Sequence, residues 1–191
     1  MYLMAMDNNA TRLPFPALLM LIAFALAGPL SAQGLSRAEK LEGKLRVAIL
    51  KATKDLKGPI IKAPELMAIL DDTNLVLIDI RQPAEQEVSM LPHALTTAEF
   101  AARFRQGIPK EKRLVVYCTI GYRSGKYAQE LAKQGIKAQN LEGGVLMWSF
   151  AGGKFLMKDP NAKGERIETT RIHVYDREWN IVHPDYQAVL P

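Results

Sequence analysis

Short apolar strands alternate with amphipathic helices through the middle of this 191-residue sequence, between residues 58 and 158. Two of the strands, "NLVLIDI" at 74–80 and "RLVVYC" at 113–118, are almost continuously apolar, which is typical of strands buried on both faces of a parallel sheet. Segments with helical spacing lie between the strands, among them "TTAEFAARF" at 96–104 and "SGKYAQELAKQG" at 124–135. This alternation predicts an α/β fold with a parallel central sheet and helices on both faces.

Capping signals indicate where several helices begin and end. Thr96 with Glu99 three residues later forms a capping-box pattern, and Pro64 fits the first turn of a helix in "PELMAILDD". Ser124 is the predicted N-cap of the helix that Gly135 ends. Short strands are predicted in "PIIKA" and "KAQNL", and a glycine-bounded helix in "GGVLMWSFAGG".

The N-terminal residues have the layout of a secretory signal peptide. Arg12 precedes an apolar stretch at 17–27, which ends at Gly28-Pro29 and small residues. The stretch is shorter than the roughly 20 apolar residues that span a bilayer. We therefore expect residues 1–32 to be a signal peptide and the protein to be exported, to the periplasm. An uncleaved membrane anchor formed by residues 13–30 is the alternative.

Extensions flank the predicted α/β domain, which we place at residues 58–158. Residues 33–57 are expected to form an amphipathic helical extension, with Leu41, Leu45 and Ala48 on one face. We expect this helix to pack on the domain, and contact with a membrane surface is the alternative. Residues 159–191 begin with a turn-rich linker and then alternate like a hairpin, with Asp176-Arg177 near its turn.

Charge and histidine content bear on the classes of partner. The formal net charge is +5 and the pI about 9.3, but the basic residues are scattered and lack interleaved aromatic residues. This pattern does not indicate a nucleic-acid partner, whereas a mild positive field favours small anions. His93, His173 and His183 do not have metal-ligand spacing, so no metal site is predicted. Trp148 is expected in the core.

Cys118 is the only cysteine in the chain. Exported proteins usually pair their cysteines, so a single thiol is either inert and buried or reactive. Cys118 ends a predicted strand, and a helix begins within six residues, so loop amides and the helix dipole should stabilise negative charge on the sulfur. Gly121 lets this loop close tightly and Arg123 adds a cation. The pattern predicts a nucleophilic thiol.

Three motifs in this order resemble those of the single-domain rhodanese family. They are Asp79-x-Arg81 followed by Pro83 and Glu85, the loop "YCTIGYRS" at 117–124, and "LEGGVLMWSFAGG" at 141–153. The resemblance covers roughly residues 58–158. The chain departs from the family at 89–94, where "SMLPHA" replaces a common Gly-His-Ile-Pro-Gly-Ala pattern, a region expected to affect partner contacts more than chemistry.

The resemblance implies a sulfurtransferase that carries a sulfane sulfur as a persulfide on Cys118. The donor would be thiosulfate or a similar small anion, the acceptor is an unidentified thiol or protein, and neither cofactor nor metal is required. The negative charge would be held by the active-site loop, which comprises Thr119, Ile120, Gly121, Tyr122, Arg123 and Ser124.

Other residues receive supporting roles. Arg123 is predicted to attract the donor, with the alternative that a nearby carboxylate holds it. Asp79 and Arg81 are expected to form a structural ion pair, and Glu142 to orient the loop that follows it. A membrane is expected to be contacted only through an uncleaved N-terminal segment.

Two other functions remain open from the residues. Cysteine-dependent phosphatases and arsenate reductases place a thiolate in a similar loop, but the phosphatase loop has five residues between cysteine and arginine. Only four separate Cys118 from Arg123, which favours a smaller group than phosphate. A non-catalytic rhodanese-like module that binds a partner is the other alternative.

Overall fold

A computed structural model describes residues 35–162 and 164–191. The predicted signal peptide at 1–32, and the alternative anchor at 13–30, lie outside the described residues. Within the described ranges, no helix combines the length and the apolar character that crossing a bilayer requires.

A five-stranded parallel sheet forms the centre of the protein, as the sequence predicts. Its strands are β1 (Ile60–Ile61), β2 (Leu75–Asp79), β3 (Leu95–Thr96), β4 (Arg113–Tyr117) and β5 (Ala138–Leu141). The spatial order is β1-β5-β4-β2-β3, so β4 is the central strand. The register pairs Val116 with Asn140 and Tyr117 with Asp79, which brings the carboxyl ends of β2, β4 and β5 together. The short edge strand β3 was not predicted.

Helices cover both faces of this sheet, as predicted. They are α1 (Arg37–Thr53), α2 (Ala63–Met67), α3 (Pro83–Val88), α4 (Thr97–Arg103), α5 (Tyr122–Lys133) and α6 (Gly144–Phe150). Alternate residues of β4 enter two separate cores, with Val115 in one and Val116 in the other. The first core includes buried residues of α1, α2 and α6, and the second includes residues of α4 and α5. Each fully buried aliphatic side chain contributes about 1.5–3 kcal/mol, so both faces stabilise the central strand.

The N-terminal extension packs on the domain, as expected. Ser36 caps α1 through a reciprocal capping box with Glu39. Leu45 and Ile49 are buried against the domain, where α1 contacts α5 and α6. The face that carries Val47 and Leu50 is exposed. The amphipathic pattern therefore reflects burial on one side of α1.

The start of α5 differs from the prediction. Its N-cap is Gly121, which has a left-handed backbone with φ of 88°, and Ser124 lies in the first turn of the helix. The predicted Ser124 cap is wrong because the hydroxyl is directed to Cys118 and Asn140 instead of a backbone amide. The predicted end is confirmed, since Gly135 follows the helix with φ of 78°.

The C-terminal extension is not the predicted hairpin. A hairpin forms earlier, from antiparallel β6 (Phe155–Lys158) and β7 (Arg166–Thr169), so the expected linker connects its two strands. The last strands, β8 (Arg171–His173) and β9 (Gln187–Val189), pair in parallel. Parallel strands cannot be joined by a tight hairpin turn and need a long connection. The residues that connect β8 to β9 form this connection, and apolar side chains among them, such as Trp179, pack against the core.

Candidate active site

Cys118 follows the last residue of β4, at the carboxyl edge of the sheet. The residue is only 1% exposed, yet its sulfur lies among polar groups. The backbone amide of Gly121 donates a hydrogen bond to Sγ over 3.2 Å, and Oγ of Ser124 lies 3.3 Å from the same atom. Both groups belong to the start of α5, whose dipole also favours negative charge at this point. The surroundings of Sγ can therefore stabilise an anionic sulfur.

The start of α6 fixes the backbone on the opposite side of the loop. The amide of Val145 donates to the carbonyl of Cys118 over 3.0 Å, and the amide of Leu146 donates to that of Thr119 over 3.2 Å. Gly144 has φ of 52°, and a Cβ built on it would lie 2.1 Å from the Cys118 carbonyl oxygen. This contact requires glycine and explains the second glycine of the "EGG" motif.

Asn140 connects β5 to the active-site loop. Its Nδ2 donates to the carbonyl of Gly121 over 2.8 Å, and its Oδ1 lies 2.7 Å from the hydroxyl of Ser124. Asn140 was not among the site residues predicted from the sequence. The signal in the sequence was a polar residue within a short predicted strand. This signal indicates a site residue only once the register of β5 beside β4 is known.

Glu142 directly follows β5, and its predicted role in orienting the loop that follows it stays a prediction. Its backbone amide donates to the carbonyl of Ile61, and within the described part of the chain its side chain makes no hydrogen bond. The carboxylate lines a cleft of about 360 Å³ between α1, α2 and α6. The active-site loop is a different segment, and Asn140 and the backbone amides of α6 hold it.

Arg123 is held by a buried carboxylate. Its guanidinium donates two hydrogen bonds to Glu85, over 2.7 and 2.8 Å, and a third to Thr119 Oγ1 over 3.0 Å. Burial opposes ionisation of Glu85, but the bonds from Arg123 and the Gln82 amide outweigh it and lower the Glu85 pKa. Burial likewise opposes the charge on Arg123, and Glu85 raises the pKa of Arg123 above its usual value. The arrangement matches the alternative interpretation, in which a carboxylate compensates the charge of Arg123.

The C-terminal extension contributes an aromatic ring to this region. The Arg123 guanidinium lies over the ring of Tyr175, 4.6 Å from its centroid. Tyr175 has a left-handed backbone with φ of 70°, and its amide donates to Nδ1 of His173 over 3.1 Å. Burial lowers the pKa of His173, which favours the neutral ring that this bond requires. No signal in the sequence linked Tyr175 to Arg123.

Behind the loop lies the ion pair predicted between Asp79 and Arg81. The two groups are 2.7 Å apart and both side chains are fully buried. The phenol of Tyr117 donates to Asp79 over 2.7 Å, and burial and the Asp79 charge raise the pKa of Tyr117 well above its usual value. Burial alone would lower the pKa of Arg81, but Asp79 reverses the effect and raises it. The pair ties β2 to β4 directly before Cys118.

The segment that departs from the family pattern, residues 89–94, contacts this buried pair. The backbone carbonyl of Ser89 accepts from Arg81, and the amide of Leu91 donates to the Tyr117 phenol over 3.1 Å. Ser89 Oγ donates to the carbonyl of Arg171 in β8 over 2.6 Å. The segment therefore joins the ion pair to the C-terminal extension.

Trp148 and His183 both lie outside the active-site loop. Trp148 is buried in the core, and its indole donates to the carbonyl of Lys154 over 3.0 Å, as expected for a core residue. His183 lies in a turn closed by a bond from the Tyr186 amide to its carbonyl. In residues 35–162 and 164–191, no group of three or more His, Cys, Asp or Glu side chains could hold a metal ion.

Parts of this chain are similar to a known family and to known proteins. The family model of the rhodanese-like domain matches residues 62–151. A sulfurtransferase of Allochromatium vinosum is 36% identical over 86 residues, which cover 44% of this chain and 80% of that protein. A tRNA uridine(34) hydroxylase of Citrobacter koseri is 34% identical over 131 residues, covering 58% of this chain but only 36% of the relative.

Among solved structures, a thiosulfate sulfurtransferase from Pseudomonas aeruginosa is similar to this chain, with a TM-score of 0.49 and 22% identity. That match covers 60% of this chain and 23% of the other. The match to the Allochromatium vinosum protein extends over four-fifths of that protein's length, and the residues matched by the family model include Cys118 and its loop. On these grounds the chain belongs to the rhodanese-like domain family.

Proposed function

We propose that this protein is a sulfurtransferase that accepts a sulfane sulfur from thiosulfate and carries it as a persulfide on Cys118. The observation that supports the proposal best is the polar surroundings of Sγ, where the Gly121 amide donates over 3.2 Å and the Ser124 hydroxyl, which can rotate to donate, lies 3.3 Å away. A sulfurtransferase relative at 36% identity agrees with it. A preorganised donor such as the Gly121 amide lowers the energy of the thiolate that attacks the sulfur donor.

In the first half-reaction the Cys118 thiolate attacks the outer sulfur of thiosulfate. A sulfur–sulfur bond forms to Sγ, the bond between the two sulfurs of thiosulfate breaks, and sulfite leaves with the electron pair. The charge before and after the step is the same, and no oxidant is needed. The persulfide then carries its negative charge on the outer sulfur, within the loop of residues 119–124.

In the second half-reaction a thiophilic acceptor attacks the outer sulfur of the persulfide. With cyanide as the acceptor, a carbon–sulfur bond forms, the sulfur–sulfur bond breaks, and thiocyanate and the Cys118 thiolate are the products. A protein or small-molecule thiol would take the place of cyanide in the cell. Nucleic acid is not part of the proposal.

Two observations favour a non-catalytic partner-binding module as the second candidate. Cys118 is only 1% exposed, so the groups around it must move before a donor can reach its sulfur. The charge of Arg123, the predicted attractor of the donor, is compensated by Glu85. A closed site with balanced charges is compatible with a loop that has a structural role in partner binding and no catalytic role.

Thiocyanate formation from thiosulfate and cyanide distinguishes these candidates. We expect the wild-type protein to form thiocyanate and Cys118→Ser to form none, with both proteins showing the same thermal unfolding transition. Activity that survives in Cys118→Ser would refute the persulfide mechanism, and an inactive wild-type protein would favour the module. Hydrolysis of para-nitrophenyl phosphate at a comparable rate would favour the phosphatase alternative.

We also propose that residues 1–32 direct export to the periplasm. The proposal rests on the sequence layout alone. Intact mass spectrometry of the protein from the periplasmic fraction should show a chain that begins at Gln33. A protein found only in the membrane fraction at its full mass would favour the anchor at 13–30.

A further inference from the structure

We propose that Asn140 is a positioning residue that competes with Cys118 for the single hydrogen of the Ser124 hydroxyl. Through this competition Asn140 would set how readily the sulfur takes up negative charge. The inference deepens the proposed function, and its consequence for turnover rests on that function. The competition itself can be measured without a sulfur donor.

The orientation of the Asn140 amide follows from its contacts. Nδ2 lies 2.8 Å from the carbonyl oxygen of Gly121, where only a donor can form a hydrogen bond. Oδ1 must then face Ser124, whose Oγ is 2.7 Å away. Asn140 is buried, and a Cβ on Gly125 would lie 3.0 Å from its Nδ2, so the side chain fits closely in this orientation.

The Ser124 hydroxyl has one hydrogen and two neighbours that can accept it. An amide oxygen can only accept, so the short contact with Oδ1 requires that Ser124 donates to Asn140. Its oxygen then presents a lone pair to Sγ, 3.3 Å away. This arrangement suits a neutral thiol, because an S–H group can donate to that lone pair.

An anionic sulfur reverses this preference. A thiolate or a persulfide has no hydrogen to donate, so Ser124 stabilises it only if the hydroxyl rotates and donates to it. The rotation leaves Oδ1 of Asn140 buried without its hydrogen-bond partner, which carries a free-energy cost. The Gly121 amide, by contrast, donates to Sγ in either state. Asn140 therefore opposes charge on the sulfur through Oδ1 and supports the loop through Nδ2.

A double-mutant cycle separates these two effects. We would measure the second-order rate constant for alkylation of Cys118 by iodoacetamide at pH 7 in four proteins: wild type, Asn140→Ala, Ser124→Ala and the double variant. Loss of the Nδ2 bond to Gly121 affects both backgrounds equally and cancels in the cycle. Release of the serine hydrogen occurs only where Ser124 is present.

In each background, the effect of Asn140→Ala is the rate constant with alanine at 140 divided by the rate constant with asparagine. We expect this effect to be about fivefold larger with Ser124 present than in the Ser124→Ala background, and we call the quotient of the two effects the ratio. The ratio should fall toward one at alkaline pH, where the sulfur is anionic in every variant, and a purely structural role would not produce this pH dependence. Asn140→Asp keeps an oxygen against Ser124, so its ratio should stay near one.

A ratio of one or less for Asn140→Ala at pH 7 would overturn the inference, as would an equal ratio at all pH values. If Asn140→Ala does not fold, Asn140→Leu, which has a similar shape and no hydrogen-bonding group, replaces it with the same expectation. Because the readout requires no donor, an absence of thiocyanate formation would refute the proposed function without bearing on this result.

Discussion

Replacing Gly144 by alanine should damage both the stability and the chemistry of the site. The added Cβ would lie 2.1 Å from the Cys118 carbonyl oxygen and 2.7 Å from that of Thr119. Ordinary contact begins at 3.4 Å, so the loop and α6 must separate by more than about 1 Å. Backbone atoms cannot rotate away as a flexible side chain can. The two hydrogen bonds between α6 and the loop must therefore lengthen or break.

The cost can be estimated from three contributions. An alanine in the left-handed conformation, here at φ of 52°, costs roughly 1–2 kcal/mol. Each of the two lost backbone bonds adds about 1 kcal/mol. We therefore expect Gly144→Ala to lower the free energy of unfolding by about 3–4 kcal/mol. A displacement of about 1 Å at the nucleophile should also reduce thiosulfate turnover by about 100-fold.

Gly152→Ala is the matched control. Gly152 also has a left-handed backbone, with φ of 74°, but among the described residues no atom beyond its chain neighbours lies within 4 Å of its added Cβ. It should cost only the conformational part, roughly 1–2 kcal/mol, and leave turnover unchanged. The measurements are urea denaturation and thiocyanate formation on both variants. If Gly144→Ala is no less stable and no less active than Gly152→Ala, the argument that α6 positions Cys118 is wrong.

Three further predictions concern the charged groups around the loop. Asp79→Asn leaves the Arg81 cation buried without its counter-ion, and we expect urea denaturation to show a loss of about 3–5 kcal/mol. The pKa of Glu85 is lowered in the folded protein, so the stabilisation by its carboxylate is present above the ordinary pKa of about 4.5 and is lost as pH falls through the folded value. In Glu85→Gln the free energy of unfolding should therefore fall less steeply on the acid side of its pH profile, the acid limb. Tyr175→Ala and Arg123→Ala should couple by about 0.5–1 kcal/mol in a double-mutant cycle, the strength of a partly exposed cation–π contact.

Controls and contrary outcomes accompany each of these. A loss below about 1 kcal/mol in Asp79→Asn would mean that the pair is not essential to the fold. Glu99 has a lowered pKa at an exposed cap, so Glu99→Gln should change the acid limb less than Glu85→Gln, and an equal change would contradict our account of Glu85. Tyr122 lies beside Lys126 at 5.7 Å. Tyr122→Ala should not couple to Arg123→Ala, and equal coupling would mean that the Tyr175 contact is not specific.

The sequence predicts the sheet well because its strands are buried on both faces. The runs that became β2 and β4 are almost wholly apolar, and this signal is local. The position of Cys118 at the end of β4 follows from the same signal. The edge strand β3 has only two residues and no comparable pattern, so nothing in the sequence marked it.

The details of the site depend on contacts between distant residues and were predicted less well. Ser124 resembles an N-cap in sequence, but the left-handed Gly121 begins the helix earlier and leaves the serine hydroxyl for the sulfur. Asn140 gains its importance only from the pairing of β5 with β4. The parallel pairing of β8 with β9 could not be read from alternation, because alternation alone does not specify a strand's partner.

The central claim is that the sulfur of Cys118 is held so that it can accept a second sulfur atom. Intact mass spectrometry of the protein after incubation with thiosulfate tests it most directly, with Cys118→Ser as the control. We predict a gain of about 32 Da that peptide mapping assigns to Cys118, that cyanide removes, and that the serine variant lacks. A wild-type protein that is folded but keeps its original mass at saturating thiosulfate would contradict the claim.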